Sequence, residues 1–128
     1  VTGVITHDLA QKERENKNIT EIYRVNTIDE RKEKMAELAD GFIALPGGLG
    51  TFEEILEIAT WGQLNQHQKP MIIYNVNRFY DALIAQLDHA VEEGFLPPQH
   101  RAKVIICDSL EQITNVIKNL NSPTRIEV

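Results

Sequence analysis

Between Phe42 and Glu54 an apolar run, Phe42-Ile43-Ala44-Leu45, breaks at Pro46 and meets three glycines in four positions, Gly47, Gly48 and Gly50. A helical pattern headed by Thr51 follows at once. This succession predicts a strand, a glycine-rich turn and a helix. Three glycines cost more conformational entropy than one turn requires. Without side chains they let an anion approach the backbone N–H groups at a helix start. The helix dipole adds about 0.3–2 kcal/mol for an anion there. No Gly-Lys-Ser/Thr follows, and the spacing is not G-x-G-x-x-G, so neither familiar phosphate loop is present. A plainer reading stands beside this one. Thr51-Phe52-Glu53-Glu54 has the pattern of a capping box, and Pro-Gly is ordinary turn punctuation.

The chain around this unit alternates between strand and helix patterns. Val1–Thr6 predicts a buried strand, and Thr20–Val25 a second one with period two. His7 to Asn18 is charged and without a clean period, as in a loop or a short helix. Thr27-Ile28-Asp29-Glu30 is a capping-box pattern, and the helix it opens carries Met35, Leu38 and Ala39 on one face up to Gly41. Phe52, Ile55, Leu56 and Ala59 form the stripe of the helix after the glycine turn, which fades through Gly62 to about Gln66. Pro70–Tyr74 predicts a strand. Phe79–Glu93 predicts a long helix striped by Leu83, Ile84, Leu87, Ala90 and Val91, with Gly94 as its left-handed end and Pro97-Pro98 beyond. Val104–Cys107 predicts a fifth strand. Asp108-Ser109 caps a last helix with Leu110, Ile113, Val116 and Ile117 inward. Residues 1–121 are expected to form one domain and 122–128 a frayed tail. The fold expected is α/β and Rossmann-like, a mainly parallel sheet with helices on both faces. Ligands of such sheets sit beyond the C-terminal ends of the strands, where the glycine turn lies.

Composition narrows the partners. The 128 residues carry a formal net charge of −6, which argues against a nucleic-acid binder with a basic surface. No apolar run approaches the roughly 20 residues of a membrane span, and no signal-peptide pattern opens the chain, so a cytoplasmic setting is the expectation. The single cysteine, Cys107, allows no internal disulfide and leaves no metal framework. His89 and His100 lack ligand spacing, and His67, between two glutamines, reads as a loop residue. Cys107 and Trp61 read as packing residues, Trp61 also fitting a dimer interface.

Two groups carry chemistry toward the turn. Arg31-Lys32 pairs a planar fork suited to phosphate or carboxylate with a point charge. Taken alone, the pair is better accounted for by a solvated helix face, given Glu33, Lys34 and Glu37 nearby. From the first turn of its helix, Arg31 is expected to project toward the same sheet edge as the glycine turn. Glu54 lies one turn inside its helix. There a carboxylate either caps or stabilises an oxocarbenium-like centre and activates water, as cleavage of a glycosidic bond requires.

Glu21, Arg31-Lys32 and the run Pro46-Gly47-Gly48-Leu49-Gly50-Thr51-Phe52-Glu53-Glu54 together resemble the LONELY GUY family, cytokinin riboside 5′-monophosphate phosphoribohydrolases often labelled lysine decarboxylases. The likeness runs on through Thr60-Trp61-Gly62-Gln63-Leu64, Lys69-Pro70, Asn75-Val76-Asn77 and His89–Phe95, covering nearly the whole chain. It implies hydrolysis of the N-glycosidic bond of an AMP-type nucleotide, giving free base and ribose 5-phosphate. It also implies Arg31 and Glu54 as the catalytic pair. Glu21, Arg31, Lys32, Gly47, Gly48, Leu49, Gly50, Thr51, Glu53 and Thr60 are the implied substrate-contact positions. The family is usually dimeric and uses no metal or organic cofactor. Thr27-Ile28 stands where the family commonly has Asp-Met. The family also begins with a further strand, helix and strand that this sequence does not contain, so the chain is expected to lack part of the pocket.

A decarboxylase of the pyridoxal phosphate type needs a lysine suited to a Schiff base. Lys12, Lys17, Lys34 and Lys118 stand in charged or surface contexts, and none is marked as desolvated. Two other classes stay open at this stage: a nucleotide or phosphate carrier on the same fold, and a structural dimer module whose glycine motif is only a helix cap.

Overall fold

The structure is a computed structural model that describes Thr2–Thr6, residue 18 and the ranges 20–63, 69–119 and Ile126–Glu127. The expectations for His7–Lys17 and for His67 fall outside the described residues. The chain divides into two compact units, Val1–Leu38 and Ala39–Val128.

In the first unit, β1 (Thr2–Thr6) pairs in parallel with β2 (Glu21–Val25), Thr2 opposite Glu21 and Thr6 opposite Val25. Helix α1 (Ile28–Leu38) packs against both strands. Its start follows from the capping pattern. The amide of Glu30 donates to Thr27 Oγ1 at 3.0 Å, and the Glu30 carboxylate accepts from the Asn26 amide at 2.8 Å. The reciprocal bond thus reaches one residue further back than in the usual capping box. Met35 and Leu38 are half-buried, as their spacing predicts. Lys34 lies with Nζ 4.5 Å from the centre of the Tyr23 ring, a cation–π contact between helix and strand.

The second unit holds a four-stranded parallel sheet in the order β5-β4-β3-β6, formed by β3 (Gly41–Ala44), β4 (Met71–Tyr74), β5 (Val104–Cys107) and β6 (Ile126–Glu127). Its helices are α2 (Leu49–Gln63), α3 (Asp81–Glu92), the short α4 (Pro98–Arg101) and α5 (Leu110–Lys118). On the central strand β4 the neighbours Ile72 and Ile73 are both fully buried. Consecutive strand residues point to opposite faces, so both faces of this sheet are covered. Ile72, with Ile43, Tyr74, Ile105 and Cys107, meets Ile113, Val116 and Ile117 of α5. The other face presents Phe42, Ala44, Met71 and Ile73, where α2 packs against β4 with Ile55 and Ile58 buried. The α/β class and the parallel sheet flanked by helices are as the sequence predicts.

Several details differ from the sequence reading. Leu110 is exposed rather than inward, because it opens α5 at the sheet's edge while Ile113 makes the first contact with the core. Leu56 is exposed too, so the buried stripe of α2 runs through Ile55, Ile58 and Gly62. Helix α3 begins at Asp81, not Phe79, because Asn77 and Arg78 both take positive φ, 53° and 61°, in the turn before it. Ile126–Glu127, within the stretch read as a tail, pairs with Gly41 and Phe42 of β3.

The end of α3 follows its glycine. Gly94 has φ +82°, its amide donates to Val91 O at 3.1 Å, and the Phe95 amide donates to Ala90 O at 2.9 Å. Those two bonds make a Schellman motif. Ser109 caps α5, its hydroxyl accepting from the Gln112 amide at 3.2 Å.

Candidate functional site

The glycine turn leaves the C-terminal end of β3, the edge at which parallel sheets bind ligands. Helix α2 starts two residues before Thr51. The Phe52 amide closes the first turn on the Gly48 carbonyl at 3.0 Å, which makes Gly48 the capping position and Leu49 the first helical residue. Thr51 is therefore inside the first turn, and the capping box read from Thr51 to Glu54 does not form. The amides of Leu49, Gly50 and Thr51 precede the first intrahelical bond, so the positive end of the helix dipole falls on the glycines themselves.

The glycines differ in why they are glycines. At Gly47 a Cβ would run into the Thr51 side-chain oxygen and lie 2.9 Å from Thr51 Cβ, closer than real Cβ contacts. At Gly48 and Gly50 a Cβ would meet nothing within 4 Å among the described residues. Positive φ requires none of the three; among the described glycines only Gly94 has it. Packing thus explains Gly47. Neither packing nor backbone conformation requires glycine at Gly48 or Gly50 among the described residues.

Glu54 is half-buried and follows Gly50 by one helical turn, so the two share a face of α2, roughly 6 Å apart along the axis. Glu57 continues that face, and Glu53 is exposed beside it. Thr60, two turns on, is exposed, and its hydroxyl donates to the Leu56 carbonyl of its own helix at 2.6 Å. Gly47 to Thr51, Glu53, Glu54 and Thr60 therefore lie on one turn and one helix.

Glu21, Arg31 and Lys32 belong to the first unit. Arg31 is half-buried in the first turn of α1, its amide on Thr27 O at 3.1 Å. Lys32 is buried to 6% exposure, with Nζ 3.6 Å from Asp29 Oδ1. Burial in a run of charges was not legible from sequence, and it corrects the expectation that no lysine is desolvated. Glu21 opens β2, roughly 13 Å along the strand from Val25 and the entry to α1.

A cavity of about 270 Å³ in the second unit lies at the other end of the sheet, against Ile58, Pro70, Met71, His100 and Val104. It has no part in the glycine turn. No cluster of three or more metal-ligating side chains occurs among the described residues. No helix among them is long and apolar enough to cross a membrane.

A family profile described as "Possible lysine decarboxylase" matches residues 1–117. The chain belongs to this family. Within it, the resemblance to the LONELY GUY proteins holds. The chain is 42% identical over 118 residues to a cytokinin riboside 5′-monophosphate phosphoribohydrolase of Arabidopsis thaliana, covering 92% of this chain and 55% of that one. It is 42% identical over 120 residues to the protein of that name from Rhodococcoides fascians, covering 93% and 61%. A probable member from Oryza sativa subsp. japonica is 46% identical over 101 residues, covering 79% and 44%. The chain thus spans a little over half the length of the first two of these relatives.

Proposed function

We propose that the family member carrying this chain hydrolyses the N-glycosidic bond of nucleoside 5′-monophosphates, of the AMP or cytokinin riboside type, to free base and ribose 5-phosphate. The observation that carries this is the shared face of α2. Amides that bind an anion open it at Leu49–Thr51, and a carboxylate, Glu54, follows one turn on. That separation is on the scale of a ribose, with its phosphate at one end and its anomeric carbon at the other. The 5′-phosphate accepts hydrogen bonds from the turn and gains from the helix dipole. Glu54 then stabilises the positive charge that develops on the sugar as the base leaves, and orients the attacking water. A carboxylate would repel a phosphate placed beside it. Across a sugar it instead favours the cationic centre between the two.

Arg31 takes the complementary role that the resemblance implies, holding the substrate and offsetting charge on its departing part. Lys32 adds positive charge at the same helix start. Glu21 keeps the substrate-contact role that the resemblance implies. The names of the relatives support the reaction class. The whole protein is expected to act as a homodimer.

The test is product analysis with the full-length protein, AMP and an N6-prenylated analogue. Equimolar base and ribose 5-phosphate are expected. Tight binding of AMP with no base released over hours would make the protein a nucleotide carrier instead.

A further inference from the structure

We infer that Tyr80 is a positioning residue that holds the glycine turn in its anion-binding shape, a role that rests on the function proposed above. Tyr80 is 1% exposed, and its hydroxyl donates to the carbonyl of Leu45 at 2.5 Å, across 35 residues of sequence. Leu45 is the last residue before Pro46, so the bond fixes the chain where it enters the turn. The Tyr80 ring stands edge-on to Phe52, centroids 6.2 Å apart and planes at 76°. Phe52 is the residue whose amide closes the first turn of α2. One side chain thus grips the turn at its entry and just past its exit.

Tyr80 is itself held. Its amide donates to Asn75 Oδ1 at 2.7 Å, and Asn75 Nδ2 donates to Asp81 Oδ1 at 2.8 Å. The Asn75 amide donates to the Cys107 carbonyl at 2.7 Å. Asn75 is 7% exposed, and Phe79 packs edge-on against Tyr80 at 4.9 Å. These bonds join the C-terminal ends of β5, β4 and β3 in one line that ends on the turn. Burial raises the phenol's pKa, which keeps the hydroxyl a donor across the working range. Amides bind an anion best when they need not reorganise, and a bracing shell of this kind supplies that.

Tyr80→Phe removes the hydroxyl and keeps the ring contacts. One hydrogen bond's worth of positioning predicts roughly a 3- to 10-fold rise in KM for AMP and in Kd for ribose 5-phosphate. kcat and the Kd for adenosine, which has no phosphate, are expected to stay within about 2-fold. Equal Kd for ribose 5-phosphate in wild type and variant overturns the role. So does an equal loss for adenosine and AMP, which marks a general packing defect. Wild-type binding of ribose 5-phosphate without cleavage of AMP removes the catalytic reading and leaves this test intact. If the wild type binds no phosphate at all, both fall. Should Tyr80→Phe fail to fold, Phe52→Leu loosens the same brace from the helix side, and the same phosphate-selective loss is expected.

Discussion

The side chain of Thr51 occupies the space that a Cβ on Gly47 would need. A threonine in the first turn of a helix folds back on the residue that opens the turn, and only glycine fits beneath it.

Gly47→Ala is therefore expected to cost about 1–3 kcal/mol of stability, the range for overpacking a tight site. Thr51→Ala relieves the contact with the side-chain oxygen but leaves the one with Cβ, 2.9 Å away. A double-mutant cycle by denaturant unfolding should then show coupling of at least about 0.5 kcal/mol. Strictly additive losses would show that the two residues do not meet.

Gly50→Ala should behave in the opposite way. A Cβ there meets nothing within 4 Å among the described residues, and Gly50 lies within α2. Alanine in a helix is favoured over glycine by roughly 0.5–1 kcal/mol, so the melting temperature should rise. Affinity for ribose 5-phosphate should fall, because the methyl group stands where the anion approaches. A more stable protein with undiminished affinity would mean that the ligand does not use this backbone.

Acid should loosen the loop that anchors Tyr80. The Asp81 carboxyl is held below the ordinary aspartate range, first by the hydrogen bond from Asn75 and then by that from Arg78, against a smaller desolvation, with the charge of Arg78 contributing least. A carboxylate with a lowered folded pKa adds stability above its unfolded value, about 3.9, and loses it as pH falls through the folded one. Unfolding midpoints measured from neutral to acid pH should fall less steeply in Asp81→Asn than in wild type. Parallel curves would show that this carboxylate is not linked to folding.

Much of the fold was legible because local signals and packing agree. Thr27 and Glu30, Ser109, and Gly94 each mark a helix end by a bond they can make only there, and the β-branched runs became the parallel strands. The start of α2 was hidden because Gly50 is a poor helix former and Leu49, 85% exposed, adds nothing to the buried stripe that marks the helix. The start of α3 was hidden because Asn77 and Arg78 take left-handed backbone without a glycine to announce it. In the site, the turn and Glu54 could be read as a motif, since they are contiguous. Tyr80 could not, because its bond to Leu45 spans 35 residues and no local pattern encodes it. Nor could the burial of Lys32, which depends on tertiary surroundings rather than on its charged neighbours.

The most direct test of the reaction is single-turnover base release from AMP by the wild-type full-length protein and Glu54→Gln, with AMP binding measured alongside. The substitution keeps the shape of the side chain and removes its charge. Binding should stay within a few-fold while base release falls by about 10²–10⁴, the range for losing an acid–base or charge-stabilising group. Release by Glu54→Gln at the wild-type rate would contradict the role given to this carboxylate, and with it the chemistry assigned to the glycine turn.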